Sequence, residues 1–217
     1  MAWRSIVVSV WLLCFVGLAH SEAPQSEAPN GASRDKGMWK QIEDEDGIRT
    51  WRLEIAGVEM PGFRGETVID APAERIAEVL KQTEHHTEWM KNCIASETIK
   101  SFDANHRIVY NRTDVPWPIW DRDVILDSKF TYEDDKITLT FTNTDPKLRP
   151  LPERVVRMPR LAGSYVLTKL GPATTRVRYT IEADIGGSVP TWLAKRVAKE
   201  MPYETLYRLR ARVTGKK

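Results

Sequence analysis

The chain has 217 residues, of which 41% are hydrophobic and 29% are charged, and its formal net charge is +2. This balance is typical of one globular domain with short appendages, and it excludes a mainly disordered chain. The small positive charge does not indicate a nucleic-acid-binding surface, so no nucleic acid partner is expected.

The first 21 residues have the pattern of a secretory signal peptide. Arg4 precedes an apolar run over 5–18, and small residues flank His20 as they do at a cleavage site. The run is shorter than the roughly 20 residues of a membrane span. We therefore expect a cleaved signal peptide and a periplasmic or secreted protein, with a retained membrane anchor as the alternative.

The next segment, 22–37, is rich in Pro, Ser, Glu and Gly and has no apolar periodicity. Such a composition cannot bury enough apolar surface to order itself, so it predicts a flexible linker. We expect the folded domain to span 38–213 and to end in a short basic tail, 214–217.

The domain is predicted to open with a short helix over 38–47. Trp39 and Ile42 have the i, i+3 spacing of one helical face, and Gly47 is a common helix stop. The alternating pattern of 48–55 predicts a strand, and a second strand is predicted over 63–70.

A helix is predicted over 72–81, with Pro72 in its first turn and three apolar residues on one face, namely Ile76, Val79 and Leu80. From 94 to 183 the chain has short runs of β-branched and aromatic residues between turn signals. Consecutive short strands favour an antiparallel sheet. The predicted strands lie in 94–102, 106–115, 122–132, 136–144, 153–158, 163–170 and 175–185.

A long amphipathic helix is predicted at the C-terminus. Ser188 can cap it, Pro190 fits its first turn, and Pro202 is expected to kink it. Its apolar stripe comprises Val189, Leu193, Val197 and Met201, with Trp192 beside it and Leu206, Leu209 and Val213 beyond. The predicted fold class is therefore α+β, with one curved antiparallel sheet and this helix packed across it.

The stretch VPWPIWDRD (115–123) places Trp117 and Trp120 where two prolines prevent a regular helix or strand. Together with other stretches, taken in the same order, it resembles the START domain family of lipid-transfer domains. The similar stretches are 39–52, which resembles the opening helix and first strand, and 62–80, 88–90, 108–125 and 184–199. The resemblance covers 38–213.

The resemblance implies a helix-grip fold, in which a curved sheet wraps a long C-terminal helix around an internal hydrophobic tunnel. It implies a carrier, not an enzyme, that binds one lipid, sterol or other hydrophobic small molecule and moves it between membranes. Transient membrane contact and a monomer are expected, and no cofactor or metal is implied.

The resemblance also implies the ligand-binding residues, since in relatives the proline-rich loop and the final helix close the tunnel. The predicted set is Trp89, Tyr110, Trp117, Ile119, Trp120, Arg122, Phe141, Val189, Trp192, Leu193, Val197 and Met201. For the helix stripe and for the two loop tryptophans, ordinary core packing is the alternative.

Polar residues near this set leave further readings open. The Arg122–Asp123 pair predicts either a structural ion pair that fixes the loop or an arginine that binds a phosphate. Relatives with phospholipid specificity carry a charged pair around the tryptophan equivalent to Trp89, whereas His86 and Met90 flank it here. This departure argues against phosphatidylcholine as the ligand.

Two other functions stay open. A polyketide cyclase-like enzyme would use the same cavity and would need inward polar groups, for which the candidates are His86, Tyr110, Arg122 and Tyr165. A ligand-sensing module on the 22–37 tether is the other. The sequence has no G-x-S-x-G motif and no metal-ligand spacing around His85 and His86.

Overall fold

The computed structural model describes residues 37–54, 62–187 and 191–216, and for 191–199 it describes the backbone only. Within these residues ten strands form one sheet, in the order β1-β2-β3-β10-β9-β7-β6-β5-β4, with β8 beside β6. The strands are Met38–Glu45 (β1), Ile48–Glu54 (β2), Phe63–Ile69 (β3), Cys93–Ser101 (β4), His106–Thr113 (β5), Asp121–Tyr132 (β6), Lys136–Asn143 (β7), Val155–Arg157 (β8), Arg160–Gly171 (β9) and Thr174–Asp184 (β10).

The strand pairs are antiparallel except β6 with β8, which run parallel. The predicted fold class, an antiparallel sheet with a long C-terminal helix, is confirmed. No helix among the described residues is both long enough and apolar enough to span a bilayer.

The predicted opening helix over 38–47 is wrong, because this segment is strand β1. β1 and β2 form a hairpin in which Glu45 pairs with Ile48 across the two residues Asp46 and Gly47. Both turn residues have positive φ, 51° and 69°, as a type I′ turn requires. Asp-Gly is a strong sequence signal for this turn, and it outweighs the i, i+3 spacing of the apolar residues.

The described residues include three α-helices beside the sheet: Ala73–Lys81 (α1), His86–Trp89 (α2) and Thr191–Thr214 (α3). α1 buries the three apolar residues predicted for its inner face. α3 continues through Pro202, and its C-terminal half buries Leu206, Leu209 and Val213 as the stripe predicts. The predicted cap Ser188, with Val189 and Pro190, lies outside the described residues.

The two faces of the sheet carry separate apolar clusters. Successive side chains of a strand point to opposite faces. On β6, Val124 and Leu126 belong to the main core with α1 and α3, whereas Ile125 belongs to a smaller cluster with Ile108 and Tyr110. We call the face toward α3 the inner face and the opposite one the outer face.

Candidate ligand-binding site

The loop 114–120, which we call the aromatic loop, connects β5 to β6 at one end of the sheet. Trp117 is 92% exposed and Trp120 is 56% exposed, while Ile119 is partly buried. The Asp121 carboxylate anchors the base of the loop, because it accepts a hydrogen bond from Arg112 Nε at 2.8 Å. Both indole rings are thus largely exposed to solvent.

Arg122 ties the aromatic loop to the segment that leads into α3. Its side chain is on the inner face and only 3% exposed. Nη1 donates to the carbonyl of Trp120 at 2.5 Å, Nε to that of Ile185 at 3.1 Å and Nη2 to that of Gly186 at 2.9 Å. Burial lowers the pKa of this guanidinium. Backbone carbonyls hold all three nitrogens, so the site does not favour Arg122 as a phosphate ligand.

Asp123 belongs to a different network on the outer face. It has no exposure and accepts from Arg157 Nε at 2.9 Å and Nη2 at 2.7 Å. Burial, with the nearby Asp123 carboxylate, raises the pKa of Tyr110 to about 12. Tyr110 thus lies in the outer cluster, where Arg149 stacks 4.0 Å above its ring. The Tyr110 side chain therefore does not lie in the tunnel wall, where it was predicted.

A polar cluster lies on the inner face beside α2. Register pairs Ser96 with Asn111 and Asn111 with Val124, so Asn111 shares the inner face with Val124. His86 Nε2 donates to the carbonyl of Leu80 at 3.0 Å, which leaves Nδ1 to accept from Ser96 Oγ at 3.4 Å. Because the ring is buried, the pKa of His86 is lowered and the neutral form is favoured.

Two atoms of this cluster have no hydrogen-bond partner among the described residues. Trp89 is 5% exposed, its ring meets that of His86 edge-on at 5.7 Å, and its Nε1 is buried and unpartnered. Asn111 Oδ1 is likewise buried and unpartnered. Among the described residues, the cluster therefore presents one donor and one acceptor without a partner.

Farther along the inner face, aromatic side chains form a row across three neighbouring strands. The rings of Tyr165 and Tyr179 stack at 4.6 Å, and Phe141 lies 6.2 Å from Tyr165. Tyr179 Oη is 4.0 Å from Met201 Sδ on α3. Burial raises the pKa of both tyrosines, so both hydroxyls stay protonated at neutral pH.

The structure thus brings part of the predicted site together. Trp89, Arg122, Phe141 and Met201 are on or against the inner face, Tyr110 is on the outer face, and Trp117 and Trp120 point to solvent. Val189 and the side chains of Trp192, Leu193 and Val197 lie outside the described residues. Sequence reasoning missed Ser96, Asn111 and Tyr179, because alternation identifies one face of a strand but not which face turns inward.

Of the four residues that the enzyme hypothesis needs, His86, Arg122 and Tyr165 face inward and Tyr110 does not. His86 and Arg122 are both held by backbone carbonyls. Within the part of the chain that the structure describes, no three His, Cys, Asp or Glu residues are grouped as metal ligands.

Comparison with known proteins identifies relatives over most of the chain. A family model described as START domain matches residues 6–216. An uncharacterized protein of Pseudomonas aeruginosa is 30% identical over 173 residues, which cover 80% of this chain and 85% of the relative.

Solved structures agree with this match. The STAR-related lipid transfer protein from Xanthomonas axonopodis has 30% identity and a TM-score of 0.73, covering 81% of this chain and 98% of that one. An aromatase/cyclase from Streptomyces has 12% identity and a TM-score of 0.50, covering 70% of this chain and 92% of that one. At that identity the second likeness extends to the fold alone.

Proposed function

The chain belongs to the START domain family, and from that premise we propose that it binds one lipid, sterol or other hydrophobic molecule between its sheet and α3 and carries it between membranes. A carrier of this kind replaces the bilayer with an apolar interior, since each buried methylene is stabilised by about 0.8 kcal/mol. The inner face offers such an interior, bordered by Phe141, Tyr165 and Tyr179.

The proposal is carried by two buried atoms that have no hydrogen-bond partner in the part of the chain that the structure describes, Trp89 Nε1 and Asn111 Oδ1. A buried polar group left without a partner costs about 1–3 kcal/mol. A ligand whose polar end holds a hydroxyl or carbonyl group would satisfy one or both atoms while its apolar part lies on the inner face. Because neither atom is charged, the arrangement favours a neutral polar end.

The aromatic loop supports the second half of the proposal, contact with a membrane. An indole ring that is 92% exposed, as that of Trp117 is, gains little from the folded protein. Tryptophan favours the membrane–water interface, where its apolar body and its N–H are both accommodated. Arg122 connects this loop to the segment before α3, so contact at the loop reaches an element that borders the site.

The hydrogen bonds and protonation states of the inward polar groups favour binding over catalysis. The ring nitrogens of His86 and the guanidinium of Arg122 serve the protein's own hydrogen bonds. Burial raises the pKa of the Tyr165 and Tyr179 hydroxyls, so both stay protonated and neither is available as a general base at neutral pH. We therefore propose a carrier and not a cyclase.

Native mass spectrometry of the purified protein, followed by organic extraction, tests ligand binding, and transfer of the extracted lipid between donor and acceptor vesicles tests carriage. We expect one bound ligand per chain. Trp89→Phe keeps the ring but removes the N–H, and it should weaken binding about tenfold. Trp51→Phe, at an outer-face position, is the matched control. A protein that binds nothing from a membrane extract and transfers nothing contradicts the proposal.

We also propose that the protein works in the periplasm or outside the cell. The support is the apolar run over 5–18 with small residues on both sides of His20. N-terminal sequencing of protein isolated from the cell envelope should begin near residue 22. A mature protein that still begins at Met1 in the cytoplasm contradicts this proposal.

A further inference from the structure

Phe141 lies in the middle of the inner face between two small residues. Register pairs it with Ser128 on β6 and with Gly163 on β9. All three side-chain positions are on the inner face, because they alternate in step with the core residues Leu126, Leu139 and Leu161. The ring is therefore flanked on both sides by positions with little or no side chain.

The ring leans toward β9, over Gly163. A Cβ at Gly163 would lie 2.5 Å from the Phe141 ring and 2.4 Å from the Thr180 carbonyl oxygen. Only glycine fits there, because the ring occupies the space of a side chain. The ring also contacts the edge of the tyrosine stack, with its centroid 6.2 Å from that of Tyr165. Strand β9 thus fixes the ring on one side, and Tyr165 fixes it on the side away from the aromatic loop.

The solvent exposure of the inner-face side chains changes at Phe141. Residues farther from the aromatic loop than Phe141 are buried: Tyr165 and Tyr179 are each 5% exposed, and Leu206 has no exposure. Phe141 itself is only partly buried, although it lies on a central strand and packs against the main core. On the side toward the aromatic loop, Asn143 and Asn111 are also partly exposed. On these strands, partly exposed inner-face side chains thus extend from the aromatic loop as far as Phe141, although Val124, Leu126 and Leu161 on the same side are buried.

We propose that Phe141 is the residue that limits how far a ligand reaches into the site, and hence the length of ligand that the protein accepts. The inference rests on the proposed function. Val124, which pairs with Asn111, and Ser128, which pairs with Phe141, are four residues apart on β6, or about 13 Å along an extended strand. One leaflet of a bilayer has a hydrocarbon depth of about 15 Å. This distance therefore matches a ligand about as long as one extended acyl chain with its polar end near Asn111.

The experiment measures binding of monoacylglycerols of increasing chain length to the full protein, by competition with a fluorescent fatty alcohol. These probes have one chain and a neutral polar end. We expect affinity to rise with length to an optimum and then to fall. Phe141→Ala should shift the optimum to longer chains. Chains just longer than the wild-type optimum should bind the variant about tenfold more tightly than they bind wild type, because about two more methylene groups are buried.

Ser128→Leu is the opposing variant, because it enlarges the side chain beside the Phe141 ring, and its optimum should move to shorter chains. Phe130→Ala is the control: its ring is also inward but lies beyond Phe141 and is 5% exposed. It should lower stability without moving the optimum. If Phe141→Ala does not fold, Phe141→Leu and Ser128→Leu still test the direction of the shift.

Two outcomes overturn the inference in distinguishable ways. If wild type binds the series but its optimum is the same in folded Phe141→Ala, or Phe141→Leu, and in Ser128→Leu, then Phe141 does not set the depth and the carrier function stands. If wild type binds no member of the series and no extracted lipid, the proposed function fails and this inference fails with it.

Discussion

Arg122 and Asp123 are adjacent in the chain and point to opposite faces of β6, where each holds a different segment in place. Arg122 donates to the carbonyls of Trp120, Ile185 and Gly186 on the inner side. Asp123 accepts two hydrogen bonds from Arg157 on the outer side, where β8 runs parallel to β6. One short stretch of β6 thus anchors the aromatic loop, the approach to α3 and strand β8.

Removing the Asp123 carboxylate should strongly destabilise the protein. Asp123→Ala leaves the Arg157 guanidinium without its carboxylate in a largely buried position, and breaking a buried pair in this way costs about 3–5 kcal/mol. Urea unfolding followed by tryptophan fluorescence measures the loss. Asp127→Ala, whose side chain is 41% exposed beside His106, is the control and should cost under about 1 kcal/mol. Equal losses in the two variants contradict the assignment.

Arg122→Lys should loosen the connection between the aromatic loop and α3 while keeping the charge. A lysine ammonium cannot reach three separate carbonyl groups in the geometry of a guanidinium fork. We expect faster amide hydrogen exchange at 119–121 and 185–187, with a loss of about 2 kcal/mol in the free energy of unfolding. Arg178→Lys, at an exposed pair with Glu66, is the matched control. Unchanged exchange at both segments would refute the coupling.

Trp117→Ala should weaken membrane binding with little effect on folding. The indole is 92% exposed, so its loss should change the free energy of unfolding by less than about 0.5 kcal/mol. Burial of the same ring in a membrane interface contributes favourable free energy of binding. Partitioning of Trp117→Ala to vesicles should therefore fall at least about tenfold. Sedimentation with vesicles measures this. Leu170→Ala removes an exposed apolar side chain at the opposite end of the sheet, and it should leave partitioning unchanged.

The Cys93 thiol should react slowly in the folded protein. Burial raises its pKa to about 11, from an ordinary value of about 8.5. Between these two values the folded state holds a proton that the unfolded state releases, so this group makes stability fall as the pH rises through that range. Iodoacetamide labelling at pH 8, read by mass spectrometry of the Cys93 peptide, should be far slower without denaturant than with it. Equal rates would show that the thiol is accessible and ionised.

Much of the fold follows from local pattern. Alternation predicts the strands from β2 onward, and the spacing of Ile76, Val79 and Leu80 predicts the buried face of α1. The exception is β1, where the i, i+3 spacing of Trp39 and Ile42 predicts a helix but the Asp46-Gly47 turn forms a hairpin. The long C-terminal helix and its buried residues Leu206, Leu209 and Val213 are also readable from their spacing.

The sequence by itself determined the family, the strands from β2 onward and the apolar residues available for a core, because periodicity and short motifs act over a few neighbouring residues. Only the tertiary structure decided that Tyr110 faces outward, that Asn111 and Trp89 share the inner face, and that Phe141 lies against Gly163. The reason is register: a strand pattern repeats every two residues, so a shift of one residue exchanges the two faces. Contacts between strands far apart in the chain, and not local preference, fix which alternative is adopted.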